Sequence, residues 1–375
     1  MTRNGVTAPK GFLATGIKAG IKKGKKKELA LIYSELPCAL AGVTTQNKVV
    51  AAPIILARET ITRGRGQAII INSGNANAGT GQDGLKRAAQ ARKALAKELN
   101  LAEEDVVVAS TGIIGVPWPS EKIIKVFPKL IKNLSIRGGL AAAQAILTTD
   151  LFTKQIAIPI RELKATIGGM AKGSGMIHPN MATMLAFLTT DLAIDPIALQ
   201  RALWEVVELT FNMISVDGDT STNDMVMIMA NGAKQNKVIR VGTRAYELFK
   251  ESLLKACNFL AQAIIKDGEG AKKIFEVQVK GAAHKLDAKK VAKTIITSPL
   301  IKTAIAGGDN NWGRVVAAVG RSGAMVNPEK IKVEMKGLKT KSVKVMVNLN
   351  IGNAEAKAWG CDLTNGYIKI NTHYN

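Results

Sequence analysis

Apolar residues along this 375-residue chain fall in short runs that alternate with longer amphipathic stretches. The segment 67–71 carries three consecutive isoleucines and reads as a buried strand. It runs into Asn72-Ser73-Gly74-Asn75-Ala76-Asn77-Ala78-Gly79-Thr80-Gly81, a loop rich in turn formers. From Asp83 to Leu99, Leu85, Ala88, Ala89 and Ala96 share one side and basic residues occupy the rest, which predicts a helix. A second strand, 106–109, ends in the small polar turn Ser110-Thr111-Gly112. Helices are predicted over 196–209 and 246–265, and strands over 275–279, 294–297, 331–335 and 343–349. Strands alternating with helices predict an α/β protein.

Composition narrows the class. Hydrophobic residues make up 47% of the chain, enough to build a large core and to exclude a disordered polymer. No apolar run approaches the ~20 residues that cross a bilayer, and the first residues lack the apolar segment of a signal peptide. Cys38, Cys257 and Cys361 are too few and too far apart for a disulfide framework. A cytoplasmic protein is expected. The charge is less ordinary: 52 basic against 29 acidic residues give +23, of which +15 lies ahead of residue 183. Such an excess suits nucleic acid, an anionic surface or an acidic small molecule. The densest run, Lys22-Lys23-Gly24-Lys25-Lys26-Lys27, has no aromatic residue interleaved to stack on bases and reads as a solvated turn leading into a strand.

Several familiar motifs fail on inspection. Gly168-Gly169-Met170-Ala171-Lys172-Gly173-Ser174-Gly175 lacks the Gly-Lys-Ser/Thr ending of a phosphate-binding loop. Asp217-Gly218-Asp219-Thr220-Ser221-Thr222 starts like a calcium loop but has Thr222 where glycine belongs and Ile228 where the bidentate glutamate belongs. His178, His284 and His373 have neither the spacing of a zinc site nor a nucleophile elbow to serve.

The stretch 168–185, Gly-Gly-Met-Ala-Lys-Gly-Ser-Gly-Met-Ile-His-Pro-Asn-Met-Ala-Thr-Met-Leu, resembles the signature of the ornithine acetyltransferase family, the bifunctional glutamate N-acetyltransferases of arginine biosynthesis. The resemblance continues through Ser73–Ala78, Ser110–Gly115, Thr148-Thr149-Asp150, Ser215–Asp224, Asp267–Ala271, Ser298–Ala304, Asp309–Arg314 and Cys361–Tyr367. It implies mixed β-sheets layered with helices and a self-cleaving, N-terminal-nucleophile enzyme. The precursor would break between Ala182 and Thr183 into segments 1–182 and 183–375, which pack together as one unit, two of each per assembly.

By the same resemblance Thr183 is the nucleophile, and Thr111 and Gly112 form the oxyanion hole through a hydroxyl and a backbone N–H. Substrate contacts fall on Thr148, Lys172, Thr183, Glu269 and Asn371. The expected reaction moves the acetyl group of N-acetylornithine to glutamate, with acetyl-CoA an open second donor and with no cofactor, metal, nucleic acid or membrane partner. A threonine hydroxyl needs a base, and a freed α-amine of pKa roughly 7.7–8.0 supplies one without any histidine. From charge, Lys172 suits the substrate carboxylate and Glu269 the ornithine amine. The chain stops at Asn375, one residue short of a last threonine that contacts substrate in the family, so Asn375 or its carboxylate takes that place or the contact is missing. The rival readings are a self-processing amidohydrolase or aminopeptidase and, more remotely, a basic nucleic-acid-binding protein.

Overall fold

A computed structural model describes residues 4–22, 24–178 and 184–372. Thirteen strands occur among them: β1 (Phe12–Ile17), β2 (Leu29–Thr44), β3 (Arg65–Asn75), β4 (Val106–Ile113), β5 (Lys154–Ile160), β6 (Ala165–Lys172), β7 (Leu185–Thr190), β8 (Ile214–Ser215), β9 (Met225–Ala230), β10 (Ile274–Ala282), β11 (Lys332–Lys336), β12 (Ser342–Asn348) and β13 (Ala354–Cys361). They form two mixed sheets, each within its own compact unit, so the α/β expectation of mixed sheets layered with helices is met. Among the described residues, no helix is long and apolar enough to cross a membrane.

The first unit comprises residues 4–22, 24–173, 184–208 and 220–260. Its sheet runs β4-β3-β2-β9-β7-β6-β5, with β1 added on β2. Pairing is parallel between β3 and β4 and between β7 and β9, and antiparallel elsewhere. Both faces are covered. Ile69 and Ile71 join one buried cluster with Ile54 and Ala57 of helix Ala52–Arg63, while Ile70 joins another with Ala88, Ala91 and Leu95 of helix Gly81–Leu99. Alternate side chains of one strand thus feed two cores, which explains why 67–71 reads as continuously apolar. Strands β7 and β9 are buried along their whole length for the same reason. Segments on either side of residue 183 share this sheet, since β6 pairs antiparallel with β7 from Ile167↔Thr190 to Lys172↔Leu185.

The second unit comprises residues 174–178, 209–219 and 261–372, with the sheet β11-β12-β10-β13-β8. Val277 and Val279 of β10 and Val343, Val345 and Val347 of β12 pack against helix Lys285–Ile296 and helices Pro299–Gly307 and Trp312–Gly320.

Most expected elements appear close to their predicted limits, including helices Pro196–Val207 and Arg244–Lys266. Two expectations are corrected. The β-branched run 294–297 is not a strand: it is the end of helix Lys285–Ile296, where Ala288, Val291, Ala292, Ile295 and Ile296 form one buried face. Helical spacing of apolar residues outweighs local β propensity once that face has a sheet to cover. Nor do β3 and β4 stop at their isoleucines and valines. They continue in parallel register through Asn72↔Ser110, Ser73↔Thr111 and Gly74↔Gly112, then break register at Asn75. The polar residues keep strand geometry because each strand satisfies the other's backbone groups.

Truncating Ile295, which is wholly buried against the second sheet, is expected to cost about 2–4 kcal/mol of stability. Urea unfolding of Ile295→Ala measures it, and a loss near zero would contradict this packing.

Candidate functional site

The expected site residues Thr111, Gly112, Thr148 and Lys172 lie in the first unit, and Glu269 and Asn371 in the second. Ala182 and Thr183 lie outside the described residues.

Thr111 and Gly112 are strand residues at the bulged end of β4 rather than members of a turn after it. Gly112 has φ +136°, and a Cβ there would sit 2.3 Å from the carbonyl carbon of Gly74. Only glycine allows β3 and β4 to approach this closely. Asn223 holds the same corner from outside the pair, its Nδ2 donating to Ala76 O (2.6 Å) and Ser110 O (2.9 Å).

Lys172, at the end of β6, is buried, and its Nζ donates to Thr111 Oγ1 at 3.3 Å. An ammonium group can only donate. The Thr111 oxygen therefore accepts here, and its own proton is left to point elsewhere. Lys172 brings its charge close to Asp150, which the sequence does not single out. Asp150 Oδ1 accepts from Lys154 Nζ (2.7 Å) and Gly173 N (2.7 Å), and Oδ2 from Thr148 N (3.0 Å) and Thr148 Oγ1 (3.4 Å). Burial disfavours the charged carboxylate, yet Lys172 and Lys154 together with the Gly173 amide hold it down at about 2.

Asp224, also unassigned by the sequence, is fully buried, and among the described residues neither carboxylate oxygen has a hydrogen bond of good geometry. Burial drives it strongly toward the protonated form, against the nearby amides of Met184 and Ser221, the Thr45 hydroxyl and the charge of Lys172. Its place beside Met184 puts a buried acid, its pKa raised by burial, next to the residue that follows Thr183. Asp150 and Asp224 each stand inside a string that carries the family resemblance, and that was the only signal for either. Lys22 had none: it is the one described member of the lysine run to reach this region, through Ser73 and the Leu147 carbonyl.

In the second unit Glu269 is buried on the loop after helix Arg244–Lys266. Its backbone N–H donates to Ser174 O (2.9 Å), and its Oε2 accepts from Asn371 Nδ2 (2.9 Å). A Cβ at Gly175 would fall 2.3 Å from the Glu269 carboxylate carbon, so that glycine makes room for the acid. Asn371 ends helix Asn365–Asn371, which is capped by Thr364 Oγ1 accepting from Gly366 N, while that hydroxyl donates to Gly270 O (2.7 Å). Tyr367 on this helix donates to Asp217 Oδ2 at 3.4 Å. Burial, then the charges of Asp217 and Glu269, push the phenol well up, so it stays protonated. Burial, then the charge of Lys293, lowers His178 to about 4, leaving it neutral at pH 7 with Nδ1 3.3 Å from Ser215 Oγ.

The family model described as the ArgJ family matches residues 13–375. A relative from Symbiobacterium thermophilum named arginine biosynthesis bifunctional protein ArgJ is 47% identical, with 99% of this chain and 98% of that protein aligned. A relative of the same name from Caldanaerobacter subterraneus is 46% identical over 98% of each. Among solved structures, the arginine biosynthesis bifunctional protein argJ of Bacillus halodurans is 46% identical, covering 51% of this chain and 99% of its own, with a TM-score of 0.49.

Asp150 contributes stability in full above the unfolded carboxylate pKa near 3.8, and that contribution is lost as pH falls through about 2. Asp150→Asn leaves Lys154 and Lys172 buried with less counter-charge. It is expected to cost about 3–5 kcal/mol in denaturant unfolding at pH 7 and to remove this acid-dependent part of the profile.

Proposed function

The chain belongs to the ArgJ family, acyltransferases of arginine biosynthesis, and on that footing we propose that it moves the acetyl group of N-acetylornithine to glutamate through an acetyl ester on Thr183. The observation that carries this reading is the bulged pair of Gly74 and Gly112 beside Thr111, whose hydroxyl oxygen already accepts from Lys172. A hydroxyl held as acceptor toward Lys172 has its proton free for an oxyanion, and the Gly112 N–H is the second donor. Donors set in a rigid backbone need no reorganisation when charge develops, and each is worth roughly 3–4 kcal/mol in the transition state.

Scission of the Ala182–Thr183 bond frees the α-amine of Thr183. That amine takes the hydroxyl proton as the oxygen attacks the acetyl carbonyl. The carbonyl electrons collapse back as the acetyl C–N bond breaks and the proton passes to the departing ornithine amine. Glutamate's amine then attacks the ester, forming the new C–N bond and returning the proton and the electron pair to the Thr183 oxygen. No histidine is called on, in keeping with a His178 that burial lowers to about 4 and so leaves a weak base. In this reading Lys172 meets a substrate carboxylate, Thr148 contacts the substrate beside it, and Glu269, oriented by Asn371, takes the ornithine amine. Pairing of β6 with β7 in one sheet supports a precursor that stays assembled after the cut.

The wild-type protein is expected to run as two fragments, 1–182 and 183–375, and to gain one acetyl group on the second with N-acetylornithine alone. Thr183→Ala is expected to stay a single 39.8 kDa chain without transferase activity. A cleaved or active Thr183→Ala protein, or a fully active uncut wild type, would sink the mechanism. Release of free acetate with no transfer to glutamate would favour the amidohydrolase reading. The same assay with acetyl-CoA as donor decides between one activity and two.

Gly112→Ala should lower the transfer rate by about 10²–10³-fold, because the added methyl group has no room beside Gly74. Single-turnover acetylation of Thr183 measures the loss directly.

A further inference from the structure

Lys25 and Lys26 of the lysine run are exposed, as a solvated turn requires, but Lys22 is half-buried. Its Nζ donates to Ser73 Oγ at 3.1 Å and to Leu147 O at 2.8 Å. Ser73 is the register partner of Thr111, and Leu147 immediately precedes Thr148. The stem of Lys22 lies over Gly74, where a Cβ would come within 2.8 Å of its Cγ and 3.1 Å of its Cε. Gly74 in turn backs Gly112. One ammonium thus joins β3, which pairs with the strand carrying Thr111 and Gly112, to the segment that carries Thr148. Burial first, and the positive charge of Lys172 second, bring its amine down to about 8. Lys26 acts in the same direction, and Glu28 and Asp150 oppose them.

Two ammonium groups placed so that each feels the other are stabilised by an anion bound near both. The donor, N-acetylornithine, carries one carboxylate and the acceptor, glutamate, carries two. We propose that Lys22 is a specificity-determining residue for the acceptor, binding one carboxylate of glutamate while Lys172 binds the other. The assignment rests on the acetyl-transfer reading above and deepens it. A site with a single cation would hold any amino acid by its α-carboxylate; a second cation selects the dicarboxylate.

The test compares glutamate with glutamine, which replaces the side-chain carboxylate by an amide of the same shape, at fixed N-acetylornithine. Lys22→Met is expected to reduce the kcat/KM preference for glutamate over glutamine by about tenfold or more, chiefly through KM for glutamate, as loss of a charged hydrogen bond predicts. Lys22→Arg should retain most of the preference. In the wild type the preference should fall as pH rises through about 8, where the Lys22 amine, faced by Lys172, Lys26, Glu28 and Asp150, loses its proton. The ratio cancels the titration of the Thr183 amine, which both acceptors share. An unchanged preference in Lys22→Met overturns the proposal. If that variant does not fold, a flat wild-type preference from about pH 7 to about pH 9 overturns it. A wild type that transfers acetyl to neither acceptor overturns the acetyl-transfer reading together with it, whereas an active wild type with a flat preference overturns the role of Lys22 alone.

Discussion

A buried carboxylate, Asp150, ties together the candidate residues of the first unit. Each of its oxygens accepts two hydrogen bonds, so the charge is solvated by protein rather than water. That solvation fixes three points of the backbone at once: Thr148 through its amide and hydroxyl, Lys154 through its ammonium, and Gly173 through its N–H. Lys172 precedes Gly173, and the Asp150 charge close by offsets part of the cost of burying its ammonium. From there Lys172 reaches Thr111. The orientation of the Thr111 hydroxyl is the last link of a chain of electrostatic requirements that begins at Asp150.

The other half of that arrangement is steric. Strands β3 and β4 run side by side into their polar ends because Gly74 and Gly112 let the two backbones approach. Asn223 then closes the corner with bonds to Ala76 and Ser110. The second unit uses the same economy separately: glycine at 175 makes room for the Glu269 carboxylate, and Asn371 orients it. In both units a glycine's missing side chain is what lets a functional group occupy its position.

The basic excess of +23 divides accordingly. Lys25 and Lys26 are exposed, but Lys22, Lys154 and Lys172 are drawn inward, Lys154 and Lys172 beside Asp150 and Lys22 beside Glu28 and then Asp150. Density of charge in the sequence is therefore a poor guide to which lysines the fold buries. What distinguishes an inward lysine here is proximity to a buried acid and to a strand end, and neither is a property of the lysine's sequence neighbours.

Periodicity alone determined the alternation of strands and helices, because a buried strand must be apolar on one or both faces and a packed helix apolar on a stripe. The order of the short motifs likewise identified the family, and with it the residues expected to carry the chemistry, since each motif supplies residue types that few other chains hold in that sequence. Only the tertiary structure decided that residues 294–297 are helical, because their buried face matters only once a sheet lies beneath it. It alone carried β4 through Thr111 and Gly112, because strand continuation there depends on backbone partners in β3, some forty residues earlier in the chain. And it alone brought Lys22, Asp150 and Lys172 to one place. Electrostatic coupling acts through space and falls with distance, so a sequence can name the charges but only the fold sets which of them meet.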